Sequence, residues 1–117
     1  MAIKINIEST KIPVEIDDLK FEIDVTDEKY EAFIGHFNVF LTKLDTLDDE
    51  KPEDIEVLKT LVSEVYIELL GTGSYEKVYE KMPNIAFVAS TLVKIVTQLI
   101  DEMDKRMKPV SELKQIK

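Results

Sequence analysis

The chain has no cysteine. Disulfides and thiolate metal sites are therefore excluded, and the composition fits a reducing compartment. It has a single histidine, His36. No nearby spacing supplies that residue with a nucleophile, an orienting acid or further zinc ligands, so it reads as a surface or margin histidine. Positive charge is also scarce, with 15 Lys and Arg against 24 Asp and Glu and a net charge of −9. A field of that sign repels phosphate backbones, which argues against a nucleic-acid partner and favours solubility. Long apolar runs are missing as well. The first ten residues, MAIKINIEST, alternate apolar with polar side chains and so lack the apolar segment of a signal peptide. The stretch from Ile85 to Met107 carries Lys94, Gln98, Asp101 and Glu102, too many polar groups for a membrane span.

Two further segments fail as chemical sites. Gly71-Thr72-Gly73-Ser74 lacks the lysine of a phosphate loop and lies between two helical patterns, not after a strand. The acids from Asp45 to Glu56 lack the fixed offsets and central glycine of a calcium loop. Tyr30, Tyr66, Tyr75 and Tyr79 fall on apolar helical stripes beside acids, which favours packing over base stacking. The expectation is a non-enzyme with no metal and no cofactor.

What is present describes one folded domain. Apolar residues make up 44% and charged residues 33% of 117 positions. Period-two alternation marks Ile3-Ile5-Ile7, Ile12-Val14-Ile16 and Leu19-Phe21-Ile23-Val25 as strands. A two-residue turn at Asp17-Asp18 places Ile16, Val14 and Ile12 opposite Leu19, Phe21 and Ile23 on one face. Pro13 makes the second strand an edge, or confines its pairing to the residues after it. The first strand is left to pair elsewhere or with a second chain.

Helical spacing takes over after Thr26, a plausible N-cap. One stripe runs Tyr30, Phe33, Ile34, Phe37, Phe40, Leu41, Leu44 and Leu47, and the run Asp48-Asp49-Glu50 ends it. Pro52 starts a second helix that Gly71 stops. Tyr75, Val78, Tyr79 and Met82 form a short third helix before Pro83, and Asn84 caps a fourth. The fourth carries Ile85, Val88, Leu92, Ile95, Val96, Leu99 and Met103, widened by Ala89, Val93, Ile100 and Met107. So wide a stripe predicts contact on two sides and a central position. The fold class is α+β and mostly helical: an N-terminal hairpin or small antiparallel sheet on about four helices. The expected bounds are a single domain over 1–109, with the β element at 3–25 and helices at about 27–47, 52–70, 74–82 and 85–107. Pro109 ends the fourth helix, and 110–117 is a flexible tail. Residues 105–117 hold five basic residues and one acid, leaving ten basic against 23 acidic residues before them. Lys105, Arg106 and Lys108 suit a helix C-terminus.

Several stretches together carry a family resemblance. They are Val14-Glu15-Ile16, Leu19-Lys20-Phe21-Glu22-Ile23-Asp24-Val25, Glu64-Val65-Tyr66-Ile67-Glu68-Leu69-Leu70-Gly71, Ser74-Tyr75-Glu76-Lys77-Val78-Tyr79-Glu80 and Met82-Pro83-Asn84-Ile85. From about Lys4 to Met107 the chain resembles the tail assembly chaperones of siphophages and prophages of Gram-positive bacteria. The resemblance implies a small, acidic, helical protein of the host cytoplasm. Such a protein binds the tape measure protein, and with it other tail proteins, and is absent from the finished particle. A translational frameshift near the end of the gene often gives a longer second product in that family. Expected contact residues are Phe33, Phe37 and Phe40 in the first helix and Tyr75, Tyr79 and Met82 in the third. The alternatives are a structural tail component retained in the virion, whose first strand pairs between subunits, and a small protein-interaction domain of another kind.

Overall fold

The computed structural model describes residues 1–48 and 50–115. Its first element is a hairpin of β1 (Lys11–Ile16) and β2 (Leu19–Asp24), turned by Asp17-Asp18. Ile12 faces Ile23, Val14 faces Phe21 and Ile16 faces Leu19, which is the register the alternation requires. Asp17 takes a φ of +52°, the left-handed region that tight hairpin turns need and that aspartate tolerates. Pro13 does not interrupt the pairing. A two-residue turn makes Ile16–Leu19 a hydrogen-bonded pair, so every second pair after it is bonded too. Val25 N–H donates to Thr10 C=O at 2.7 Å and continues that series. Pro13 stands opposite Glu22, at a position where the backbone nitrogen faces the outer edge and no ladder bond is lost.

Residues 3–7 form no strand, contrary to the alternation of Ile3, Ile5 and Ile7. Alternation prepares a strand for pairing but supplies no partner. The Asp17-Asp18 turn brings one to Ile12-Val14-Ile16, and nothing among the described residues brings one to Ile3-Ile5-Ile7.

Four helices follow: α1 (Asp27–Leu44), α2 (Pro52–Leu70), α3 (Ser74–Lys81) and α4 (Ile85–Gln115). Thr26 caps α1, its hydroxyl accepting from Lys29 N–H at 3.4 Å. The helix stops at Leu44 and not at Leu47, before the acidic run, of which Asp49 lies outside the described residues. Pro52 opens α2, and Asn84 Oδ1 accepts from Phe87 N–H at 3.2 Å to open α4. Gly71, at φ +97° and ψ 167°, ends α2 in a conformation that side-chain-bearing residues rarely adopt.

One core joins these elements. It contains Ile23 and Val25 from the hairpin end, Phe33, Phe37 and Phe40 from α1, and Val62, Val65, Tyr66, Leu69 and Leu70 from α2. Val78 of α3 and Val88, Leu92, Val96 and Leu99 of α4 complete it. Two polar groups enclosed in this core are satisfied. Tyr66 Oη donates to Val88 C=O at 2.8 Å, and Ser74 Oγ donates to Tyr66 C=O at 3.0 Å, tying α2, α3 and α4 together.

Two expectations for α4 fail. It does not end at Pro109 but runs through it to Gln115, and Ile116 and Lys117 lie outside the described residues. Proline's fixed φ is compatible with a helix, and the Glu, Leu, Lys and Gln that follow are good helix formers. Nor is α4 covered on two sides. Val88, Leu92, Val96 and Leu99 are buried, whereas Val93, Ile100 and Met107 of the second row are exposed. The chain is accordingly long, 65 × 34 × 20 Å, with a radius of gyration of 17.3 Å. A compact domain of this size would have about 13 Å.

Candidate partner-binding surface

Thirty-one residues give α4 a length of about 46 Å, more than the body can cover. Burial along it ends at Leu99. Glu102, Met103 and Arg106 are half-buried, and every described residue from Met107 onward is exposed. The apolar spacing nevertheless continues past the body. Met103, Met107, Val110 and Leu113 follow at intervals of four, three and three, so the tip presents an uncovered apolar side. Exposure is 52% at Met107, 45% at Val110 and 61% at Leu113.

The N-terminal arm, residues 1–9, is rooted at the same end of the molecule. Arg106 fixes its root: Nη1 donates to Ser9 C=O at 2.9 Å, and Ser9 Oγ accepts from Lys11 N–H at 3.0 Å. Arg106 Nε lies 3.5 Å from Glu102 Oε1 and 3.9 Å from Glu8 Oε2. Beyond that clamp Ile3, Ile5 and Ile7 are 81–97% exposed. Arm and helix tip each carry exposed aliphatic side chains, and the two segments meet at the Arg106–Ser9 bond. Isolated exposed apolar residues are ordinary, but a contiguous group on adjoining elements marks a contact surface.

The residues expected from the sequence are divided by the fold. Phe33, Phe37 and Phe40 are buried in the core, with ring centroids 5.7 and 5.5 Å apart along the series. A partner reaches them only if α1 lifts away. Tyr75, Tyr79 and Met82 are half-buried against the core. Tyr75 stacks on Tyr79 at 5.7 Å and meets Tyr66 edge-on at 6.1 Å, while Lys59 Nζ sits 5.7 Å from the Tyr79 ring centroid. Burial raises the Tyr75 hydroxyl above its ordinary pKa. Beside them a shallow depression of about 360 Å³ is lined by Leu58, Lys59, Tyr79 and Ile85, among others. These residues form a half-wet patch at the α2–α3 junction, apart from the α4 tip.

The arm and tip were visible in the sequence only as pattern. The 3–4 spacing from Met103 to Leu113 was legible, but Pro109 reads as a stop. The Arg106–Ser9 bond has no sequence signal, because the residues are 97 positions apart.

Other polar groups form surface pairs. His36 Nδ1 lies 2.6 Å from Glu68 Oε1 on the rim of a 270 Å³ cleft between α1 and α2. The sequence did not reveal this partner, and the cleft's described lining residues include no Ser, Thr, Tyr or Cys beside the histidine. Lys81 Nζ bonds Asp18 Oδ1 at 2.6 Å and holds that carboxyl below its ordinary pKa. Among the described residues no group of three or more His, Asp or Glu is placed to hold a metal ion. No described helix is long and apolar enough to cross a membrane. No protein-family model, no curated protein and no solved structure matches this chain.

Proposed function

We propose that this protein binds helical segments of another protein and shields their apolar faces, as a chaperone of phage tail assembly acting on the tape measure protein. One observation carries the reading: α4 outruns its own body and presents Met107, Val110 and Leu113 uncovered at three-residue spacing. An amphipathic client helix laid along this side meets apolar residues at the three-and-four spacing it carries itself. The net charge of −9 then keeps the complex dispersed. The tail identity of the client comes from the family resemblance, and the apolar pole supplies the means of holding it.

Co-expression with a tape measure fragment tests both. The fragment is expected to stay in the supernatant with the unaltered chain and to precipitate with Met107→Glu/Val110→Glu. Equal precipitation with and without the chain would remove the chaperone reading. Equal rescue by the double variant would move the client to another surface.

A further inference from the structure

The hairpin is open along one side. Among the described residues β1 pairs only with β2, and Ile12, Val14 and Ile16 stay half-buried while Ile23, opposite Ile12, is enclosed. Beside the free edge lies a cleft of about 470 Å³, with β1 as one wall and Thr91, Lys94, Ile95, Gln98 and Glu102 of α4 in the other. Pairing with β2 uses the backbone groups of Ile12, Val14 and Ile16, so those of Lys11, Pro13 and Glu15 are left to the free edge.

We infer that the arm is a strap for this edge: residues 3–8 fold back on β1 as a third antiparallel strand, and the structure holds the strap in its open state. Three observations name the arm as the occupant. The first is the turn. The chain already bends at Thr10, where Ser9 Oγ accepts from Lys11 N–H at 3.0 Å. A serine oxygen so placed stands where the carbonyl of the preceding residue stands in a β-turn. Exchanging it for Glu8 C=O closes a two-residue loop at Ser9-Thr10. Arg106 holds this root by Ser9 C=O, a group neither ladder needs, one helical turn beyond Glu102 of the cleft. The second is register. That loop makes Glu8–Lys11 a hydrogen-bonded pair, which is the parity the free groups of Lys11, Pro13 and Glu15 require. It sets Ile7 opposite Ile12, Ile5 opposite Val14 and Ile3 opposite Ile16. The three arm isoleucines, 81–97% exposed in the open state, then all join the half-buried face. A slip of one residue sends all three to the wet face. The third is charge. On the outer face the same register sets Glu8 against Lys11 and Lys4 against Glu15, with Asn6 against Pro13 between them. Pro13 has no N–H to give Asn6 C=O, and Ser-Thr is a poorer turn than Asn-Gly, so closure is loose and reversible. The closed strap covers a sheet edge, which is a template for unwanted pairing, together with its own isoleucines. It is independent of the client's identity. A strap closed about half of the time slows amide exchange in residues 3–8 only about twofold.

Disulfide trapping in the full chain is the test, since the chain has no cysteine of its own. In Ile5→Cys/Val14→Cys the two sulfurs share one face of a non-hydrogen-bonded pair, whose Cα separation of about 4.5 Å suits a disulfide. In Asn6→Cys/Val14→Cys the tether is one residue shorter, but the two side chains point to opposite faces. The first pair is expected to form an intramolecular disulfide about tenfold more resistant to glutathione than that of the second. A ratio of about one or below marks a freely wandering arm and overturns the proposal. NMR of the unaltered chain is the second reading. Carbon shifts of residues 3–8 are expected to lie between random-coil and strand values, to move toward random coil in Lys4→Glu, and to return in Lys4→Glu/Glu15→Lys. Random-coil shifts in the unaltered chain overturn the strap, and a charge swap that restores nothing overturns the register. Neither reading involves Met107 or Val110, so the strap and the chaperone reading stand or fall separately.

Discussion

Tyr66 is wholly enclosed yet brings a hydroxyl into the core. Burial pushes its pKa well above the ordinary tyrosine value, and the group stays neutral and donates to Val88 C=O. Its own carbonyl accepts from Ser74 Oγ, so one residue links the end of α2 to both later helices. Tyr66→Phe removes the first bond without opening a cavity and is expected to lower stability by about 1 kcal/mol in urea unfolding. Leu92→Ala, which does open one, is expected to cost about 2–5 kcal/mol. Asp18 behaves differently because it is exposed. The Lys81 hydrogen bond lowers its folded pKa, so the pair's contribution is complete above the unfolded carboxylate value and fades as pH falls through the folded one. The same bond raises Lys81, whose share is lost only as pH rises through its own raised value. An NMR titration of Asp18 is expected to give a midpoint below the usual carboxylate range, and Lys81→Met is expected to raise it part of the way back, because the backbone hydrogen bond at Asp18 remains.

At the scale of elements, α4 separates what local rules settle from what they do not. Pro109 removes the N–H that would bond to Lys105 C=O, and its ring crowds that carbonyl. The helix nevertheless continues for six described residues, so the tip is weaker at this point than its length implies. Pro109→Ala restores the bond and is expected to stabilise the tip by up to ~3 kcal/mol, seen as added helical circular dichroism and slower amide exchange over 105–115. The hairpin register, the starts of α1, α2 and α4 and the glycine stop at Gly71 were all legible, because each depends on a few adjacent residues. The missing strand at 3–7 was not, because pairing depends on a partner that alternation cannot specify. The same reason hid the contact surface. Phe33, Phe37 and Phe40 look as apolar in sequence as Met107, Val110 and Leu113. Only the packing of α1 on α2 decides that the first three are inside and the last three are out.

The whole molecule is a body with a projecting pole, and local stability should follow that division. Amides are protected in proportion to the structure that must open to free them. In α2, and in α4 from Val88 to Leu99, opening exposes the shared core, so exchange there should require unfolding of the entire body. Past Arg106 every described residue of α4 is exposed, the apolar face has no cover among the described residues, and Pro109 interrupts the ladder. Exchange in the isolated chain is therefore expected to accelerate stepwise from Leu99 to Gln115 and to be fastest in residues 1–8. Arg106 interrupts the gradient by tying Ser9 C=O to the helix, so Arg106→Ala should speed exchange at both sites while leaving α2 unchanged. Anything that covers the pole stabilises the tip by mass action without touching the core. Protection that appears over 104–115 and 3–7 together would mark the pole as the occupied surface. Protection confined to α2 and α3 would place the contact at Tyr75 and Tyr79 instead.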